Sequence, residues 1–263
     1  MKNKGVSLVL GCGGSKGPAH LGVIKALVEA NFEIKEIIGT SAGALIGGLY
    51  AANPDIKKVE RIFNSLDYRK LFKLLVGRPM KSGLINGEKY RKFVEDCCAV
   101  KNIEETKIPF KAVSCDLVSG EKYVFETGPI ATAIRASSAI PAIFAPVKYE
   151  GKILIDGGAI SPVAIEEAKP QQGDKIVAVA LFKHLFPKSY RQLSRANLGK
   201  IAIASTQLAI KNFSREAIKK ADMAILPDVE DINVLNFVKS KHYVDIGYQA
   251  MKAKIKELNR LYR

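Results

Sequence analysis

Apolar and polar residues alternate along the chain in blocks that predict strands and helices in turn. Residues 6–11 form a mostly apolar run typical of a buried strand, and residues 18–30 repeat apolar side chains at helical spacing. Residues 34–39 give a second strand pattern, and a helix of small residues follows at 42–52. Because strand and helix patterns alternate, the sequence predicts an α/β fold with a mostly parallel sheet and helices on its faces.

The rest of the chain continues this alternation around a helical insertion. Residues 55–108 are mostly helical in pattern, with a break at the segment GRPMKSGLING. Further strands are predicted at 110–117, 122–126, 153–155 and 175–182, a helix at 129–138, and two long basic helical segments after residue 182. We therefore expect residues 1–263 to form a single domain, with the insertion at about 55–108 and a basic helical part at 183–263.

The segment GTSAG, residues 39–43, matches the pattern G-x-S-x-G. In enzymes with this pattern the serine sits on a strained turn between a strand and a helix, and small neighbours leave its hydroxyl exposed. The strand predicted before Gly39 and the helix predicted after Gly43 supply that context. We therefore predict that Ser41 is a nucleophile, with a merely tight strand-to-helix turn as the alternative.

A second glycine-rich segment, GCGGSKG at residues 11–17, follows the first predicted strand. A phosphate-binding P-loop requires the order G-x-x-x-x-G-K-[ST], which the residues around Lys16 do not follow. A dinucleotide fingerprint requires glycine where this chain has Lys16, and an acidic residue at the end of the second strand, where the sequence has none. Backbone N–H groups at a helix N-terminus can instead bind an oxyanion. Since parallel strands place their sites at one edge of the sheet, we expect this segment to face Ser41.

A nucleophilic serine requires a base, and the chain offers three histidines and one well-placed aspartate. His20 falls inside the first predicted helix, and His184 and His242 lie in basic, polar stretches typical of a surface. The segment ILIDGG instead delivers Asp156 from an apolar strand, and the two glycines after it allow close backbone approach. Asp156 is therefore the candidate base, and the order serine–aspartate–histidine leaves His184 or His242 as the alternative.

The order of the segments GCGGSKG, GTSAG, RASSAIPAIF and DGG resembles the patatin-like phospholipase family over about residues 5–182. The resemblance implies a three-layer α/β/α fold, lipid acyl hydrolysis, and neither a metal nor an organic cofactor. It implies a dyad in which Ser41 is the nucleophile and Asp156 is the base. It assigns the oxyanion hole to backbone amides around Gly13, Gly14 and Ser15. The glycines that complete the two catalytic motifs are Gly39, Gly43, Gly157 and Gly158.

Cys12 and Lys16 are the two residues of the first glycine-rich segment that are not glycine or serine. The family usually has glycine where this chain has Cys12. If the backbone there has a positive φ angle, a cysteine is strained by ~1–2 kcal/mol, whereas extended geometry makes the change harmless. Lys16 matches a family position taken by Lys or Arg, and we expect it either near the site or at the surface.

Charge is the unusual feature of the composition. The 263 residues contain 41 Lys and Arg against 26 Asp and Glu, a formal net charge of +15 that favours anionic partners. The segment YRKLFKLLVGRPMK, residues 68–81, mixes five basic residues with apolar ones, as amphipathic helices at membrane surfaces do. We therefore expect an anionic membrane surface as a peripheral partner. Nucleic acid is disfavoured because the sequence has no recognisable motif for binding it.

Three further features bear on location. Residues 6–10, which precede Cys12, are fewer than the ~7–15 residues of a signal-peptide core. No apolar run approaches the ~20 residues of a membrane span. The four cysteines show neither disulfide nor zinc spacing: Cys12, Cys97, Cys98 and Cys115. We expect a cytoplasmic protein, peripheral at the inner membrane face.

The motifs together favour a serine acyl hydrolase of lipid or lysophospholipid esters, of the phospholipase A or lysophospholipase type. One alternative is a catalytically silent regulatory or binding protein, because a fold does not fix a function. Another is an esterase or thioesterase for a soluble acyl substrate. The head group, the acyl chain and the oligomeric state are left open.

Overall fold

The structure is a computed structural model that describes residues 4–65, 85–182, 198–229 and 240–263. Its strands are β1 (Lys4–Leu10), β2 (Phe32–Thr40), β3 (Phe110–Asp116), β4 (Lys122–Phe125), β5 (Val147–Tyr149), β6 (Lys152–Asp156), β7 (Lys175–Val179) and β8 (Met223–Ile225). Its helices are α1 (Pro18–Glu29), α2 (Ala42–Ala52), α3 (Ile56–Ser65), α4 (Glu88–Cys97), α5 (Ile130–Ser137), α6 (Leu198–Ala217) and α7 (Ser240–Arg260).

These strands form one sheet in the order β5-β6-β3-β2-β1-β7-β8, with β4 also paired to β3. The pairs β1–β2, β1–β7, β2–β3 and β7–β8 are parallel. The pairs β3–β4, β3–β6 and β5–β6 are antiparallel. The strand–helix alternation of the sequence therefore produces the predicted parallel centre, and the antiparallel strands are confined to one side.

Strand β3 brings the carboxyl ends of β2 and β6 together. β2 pairs with residues 110–113 of β3, β6 with residues 114–116, and β4 with residues 112–115. Strand β4 pairs with some of the same β3 residues as β2 and with some of the same residues as β6, so β4 must occupy the other edge of β3 from both. β2 and β6 therefore lie one after the other along a single edge of β3. They run in opposite directions, so their carboxyl ends meet. Ser41 directly follows β2 and Asp156 ends β6, and the topology therefore places these two residues side by side.

Apolar side chains cover both faces of the sheet. Leu8 and Leu10 of β1 belong to the larger core, which α1, α2, α5 and α7 share. Val9 points to the other face and joins a smaller core with Ile38 and Val113. Successive residues of a strand face opposite sides, so this division confirms the three-layer α/β/α arrangement.

Helix α7 fixes the position of α1, which begins at the glycine segment. The two helices make a close crossing at Gly22 and Gly247. A methyl group at Gly22 would overlap the carbonyl oxygen of Val244, and one at Gly247 would overlap the carbonyl oxygen of Ala19. Glycine at both positions therefore lets the backbones touch and holds the start of α1 in place.

Most predicted elements are present, with differences at short strands. β5 and β8, of three residues each, carry too few positions for a periodic pattern and were not predicted. β7 ends at Val179 rather than at 182, and β2 begins at Phe32 rather than at 34. Residues 68–81 and 183–197, to which the sequence assigns basic helices, lie outside the described residues. Among the described helices, none is both long and apolar enough to cross a membrane.

Candidate active site

Ser41 occupies a strained turn between β2 and α2. Its backbone angles are φ 56° and ψ −116°, a region that costs a residue with a side chain about 1–3 kcal/mol. The two flanking glycines make the turn sterically possible. A methyl group at Gly39 would overlap the backbone of Ala44, and one at Gly43 would overlap the carbonyl oxygen of Leu10. The turn therefore has the geometry that the G-x-S-x-G pattern predicts.

Asp156 contacts the Ser41 hydroxyl directly. Ser41 Oγ donates a hydrogen bond to Asp156 Oδ2 at 2.6 Å, and the Gly158 N–H donates to Oδ1 at 2.7 Å. Both side chains are buried, with 3% of Ser41 and 6% of Asp156 exposed. Burial raises the pKa of Asp156 from 3.8 to about 6, although both hydrogen bonds act in the opposite direction. The carboxylate is therefore a stronger base than an ordinary aspartate.

Two serines of α5 and its end hold the backbone of the turn. Ser137 Oγ accepts from the Ser41 N–H at 2.9 Å and donates to the Val113 carbonyl at 2.6 Å. Ser138 Oγ donates to the Ser41 carbonyl at 3.3 Å and accepts from the Tyr90 hydroxyl at 3.3 Å. Both serines lie in the segment RASSAIPAIF, whose sequence alone does not indicate their role. Their position between β3 and the turn explains why the strained Ser41 backbone stays fixed.

The glycine segment leaves two backbone N–H groups without an acceptor, on residues that line the cavity with Ser41. The amides of Gly11 and Cys12 donate to the carbonyls of Val179 and Pro162. Within the described residues, no acceptor contacts the amide of Gly13 or of Gly14. Gly13, Gly14, Ser41 and Asp156 line a single cavity of about 130 Å³. Gly14 has a φ angle of 54°, which glycine adopts without strain.

Ser15 follows in the same short helical turn, residues 14–16, and is fully buried. The structure thus brings Gly13 and Gly14 into one cavity with Ser41 and Asp156, whereas Ser15 is not among the residues that line it.

Cys12 lies in the cavity wall and has no backbone strain. It is not among the residues with a positive φ angle. Its side chain is buried, and burial together with Asp156 raises the pKa of the thiol well above 9. A methyl group added at Gly158 would lie 3.3 Å from Cys12 Sγ. The backbone therefore accepts cysteine without strain at this position, where the family usually has glycine. Cys12, like the other three cysteines, is free.

None of the described histidines contacts Ser41. His20 is fully buried, with Nε2 2.7 Å from the Gly11 carbonyl oxygen, and burial lowers its pKa to about 4. His242 is exposed on α7, and His184 lies outside the described residues. Lys16 is buried rather than exposed, with Nζ 4.7 Å from the centre of the Phe182 ring. In the described part of the chain, no cluster of three or more acidic, histidine or cysteine side chains could hold a metal ion.

Two further segments contribute to the cavity wall, which Gly158, Ala159 and Phe182 complete. The first is the turn after α5, with Ile140, Pro141 and Ala142, of which Ala142 has a φ angle of 65°. The second is α6, which contributes Thr206, Gln207 and Ile210. Sequence reasoning did not include α6 in the site, because it is distant along the chain from every motif. Its place over the cavity follows from packing alone.

Comparison with known proteins places these observations in a family. The family model described as patatin-like phospholipase matches residues 8–169. The chain is 38% identical over 176 residues to an uncharacterized NTE family protein of Mycobacterium bovis, covering 67% of this chain and 49% of that protein. It is 31% identical over 186 residues to lysophospholipase NTE1 of Scheffersomyces stipitis, covering 68% of this chain and 12% of that protein. The chain therefore spans about half or less of the length of these relatives.

A solved structure has the same fold. VipD from Legionella pneumophila matches with a TM-score of 0.53 and 14% identity, covering 98% of this chain and 67% of that one. At this identity the likeness concerns the fold alone. The family model covers well over half of the residues and includes both the Ser41 turn and the Asp156 strand. The chain belongs to the patatin-like phospholipase family.

Proposed function

We propose that this chain is a serine acyl hydrolase of lipid esters, of the phospholipase A or lysophospholipase type. The observation that carries the proposal is the 2.6 Å hydrogen bond from Ser41 Oγ to Asp156 Oδ2 inside a buried cavity. Membership of the patatin-like phospholipase family and the likeness to a lysophospholipase support lipid esters as substrates.

The reaction begins with attack of Ser41 Oγ on the ester carbonyl carbon. The hydroxyl proton passes to Asp156 Oδ2, which already accepts it in a hydrogen bond. Collapse of the tetrahedral intermediate expels the alcohol, which takes that proton from Asp156 and leaves an acyl-serine. Water then attacks the acyl group and gives its proton to Asp156, which passes it to Ser41 as the fatty acid leaves.

The charge that develops on the carbonyl oxygen is stabilised by the glycine segment. The unpaired amides of Gly13 and Gly14, with the neighbouring Ser15, are the donors that we assign to the oxyanion. Donors fixed before the reaction cost no reorganisation when the charge appears, and one such donor is worth about 3–4 kcal/mol of barrier. A weak base such as a carboxylate suffices only with this support.

The raised pKa of Asp156 predicts a reaction rate that depends on pH, because only the ionised carboxylate can accept the Ser41 proton. With a pKa of about 6, the carboxylate is ionised above pH 6 and accepts a proton more readily than an aspartate of pKa 3.8. We expect kcat/KM to rise with pH through about 6 and then level off. A base with a pKa close to the working pH is the arrangement that favours proton transfer.

A peripheral position at an anionic membrane surface completes the proposal. Helix α6 borders the cavity and exposes Ile201, Leu208 and Phe213, each by about half of its surface. The same helix carries Lys211 and Arg215, and the chain has a net charge of +15. Apolar side chains among cations are the composition of a surface that binds anionic lipid. A cytoplasmic location, at the inner face, is consistent with free cysteines.

Hydrolysis of a substrate panel tests the proposal. We expect release of fatty acid from lysophospholipid or phospholipid by the wild type, and loss of that release in Ser41→Ala and Asp156→Asn. Faster turnover of soluble esters or thioesters than of any lipid would favour the alternative of a soluble acyl substrate. Absence of turnover by folded wild type, together with no labelling by a fluorophosphonate, would favour a catalytically silent binding protein.

Sedimentation with liposomes tests the membrane partner. Binding to anionic vesicles that weakens with salt is expected, and Phe213→Ser is expected to reduce it. Leu261→Ser, at a residue that is 39% exposed near the end of α7, is the matched control. Equal binding to neutral vesicles would contradict the electrostatic part, and a gel shift with nucleic acid at moderate salt would revive the partner that the sequence disfavours.

A further inference from the structure

Gln207 is a polar side chain in an apolar part of the catalytic cavity. It lies on α6, where Ile210 lines the same wall. Ile140, Pro141 and Phe182 line the cavity as well. Gln207 is 94% buried, since 6% of its surface is exposed. It therefore lies beside Thr206, among mostly apolar residues, in the wall of the cavity that holds Ser41 and Asp156.

No hydrogen bond joins the carboxamide of Gln207 to a described residue. Its polar atoms are not among the fully enclosed unpaired atoms of the described residues, so they reach the open space of the cavity that Gln207 lines. Other buried polar side chains of the site are satisfied, because Ser137, Ser138 and Asp156 each make two hydrogen bonds. Buried polar groups in native proteins normally find partners. An unpaired amide in a catalytic cavity is thus a group that a substrate can satisfy.

Gln207 lines the same cavity as the nucleophile and the base, which limits the part of a substrate that it meets. The cavity opens to solvent, and its volume of about 130 Å³ exceeds the ~10–15 Å³ that one water molecule needs in the same measure. An ester group with its neighbouring atoms therefore has room there. Because Ser41 and Gln207 share this cavity, the substrate atoms that meet the Gln207 side chain are close to the scissile bond.

Resting on the function proposed above, we infer that Gln207 is a specificity-determining residue that binds a free hydroxyl group beside the scissile ester. A carboxamide has two N–H donors and a carbonyl acceptor, and a hydroxyl group can both donate and accept. A second ester at that position only accepts, so it leaves the carbonyl oxygen of the carboxamide without a donor. The selected substrate is a monoacyl lipid with a free hydroxyl next to its ester.

A pair of substrates that differ by one oxygen atom tests this role. The first is 1-acyl lysophosphatidylcholine, and the second is its 2-deoxy analogue with the same acyl chain. We expect the wild type to prefer the hydroxyl substrate about fivefold to tenfold in kcat/KM, the value of one hydrogen bond between uncharged groups. Gln207→Met, which keeps the length and removes the polar atoms, is expected to bring this ratio close to one by slowing only the hydroxyl substrate.

Gln249→Met is the matched control, because Gln249 is exposed on α7 and does not line the cavity. It should keep the wild-type ratio. Gln207→Leu serves as the second variant if the first does not fold, although removal of an unpaired buried amide is expected to maintain or raise the melting temperature. A wild-type ratio in a folded Gln207 variant, or no preference in the wild type, overturns the inference.

The inference and the proposed function can fail separately. If the wild type hydrolyses neither lipid but cleaves soluble esters, the lipid function fails and 2-hydroxyethyl butyrate against propyl butyrate supplies the same comparison, with the same ratios expected. Turnover of none of the four esters overturns both. Hydrolysis of both lipids at equal rates leaves the lipid function standing and removes the role of Gln207.

Discussion

Replacement of Asp156 by asparagine is expected to stabilise the folded chain above pH 6 while it removes activity. The wild-type carboxyl is fully buried, and burial raises its pKa from 3.8 to about 6. The folded state therefore prefers the protonated form. This preference contributes fully to stability below about pH 4 and is lost as pH rises through 6. Asparagine has the shape of the protonated acid and does not ionise.

The magnitude follows from the pKa difference between the folded and unfolded states. Each pKa unit corresponds to 1.36 kcal/mol, so ionisation of Asp156 costs the folded state about 3 kcal/mol at pH 8. Asp156→Asn avoids this cost. The variant should be close to the wild type in its free energy of unfolding near pH 4 and exceed it by ~3 kcal/mol at pH 8. The Gly158 N–H keeps an acceptor in the asparagine side chain.

Denaturant unfolding of both proteins from pH 4.5 to pH 8 measures this difference. Asp245→Asn, at an exposed aspartate of α7, is the control in which the difference from wild type should not grow with pH. The reasoning is refuted if the difference for Asp156→Asn does not change with pH, or if the variant is less stable than the wild type at pH 8.

Three further outcomes follow from the same geometry. Cys12→Gly should leave kcat/KM within a few-fold of wild type, and a near-total loss would give the thiol a role in the reaction. Gly43→Ala should lower the free energy of unfolding by about 3 kcal/mol or prevent folding, because its methyl group would overlap the Leu10 carbonyl oxygen. Gly120→Ala, with a positive φ angle but open space, should cost only ~1–2 kcal/mol in the same measurement. His20→Ala should lower the free energy of unfolding by about 2–4 kcal/mol, since the ring is fully buried. The folded fraction of this variant should retain most turnover, and inactivity equal to Ser41→Ala would make His20 the base.

The Ser41 turn could be predicted because its causes are local. The strand before Gly39, the helix after Gly43 and the small residues between them lie within about 20 positions of sequence. The steric need for Gly39 is local too, because it comes from Ala44, whereas the need for Gly43 comes from Leu10 of β1 and shows only in the structure. The end of α1 is also local, because Asn31, two residues after it, adopts a φ angle of 59°, which asparagine tolerates better than most residues. Local chemistry of this kind is visible without a structure.

The parts of the site that the sequence did not indicate depend on distant packing. Ser137 and Ser138 act on Ser41 because α5 packs beside β3, not because of any pattern around them. Gln207 enters the cavity from a helix that lies beyond the family match at residues 8–169. The meeting of Ser41 with Asp156 arises because β6 runs antiparallel to β3. The pattern of apolar residues in a strand does not show whether that strand runs parallel or antiparallel to its neighbour.

The most direct test of the central claim is the rate at which a fluorophosphonate labels Ser41, followed by intact mass from pH 4.5 to pH 8. The account predicts one adduct, located on Ser41, with a rate that rises with pH and is half-maximal near pH 6. Asp156→Asn should label at least about 100-fold more slowly, the usual loss when a general base is removed, and Asp245→Asn should label like the wild type. Labelling of folded Asp156→Asn at the wild-type rate would contradict the dyad.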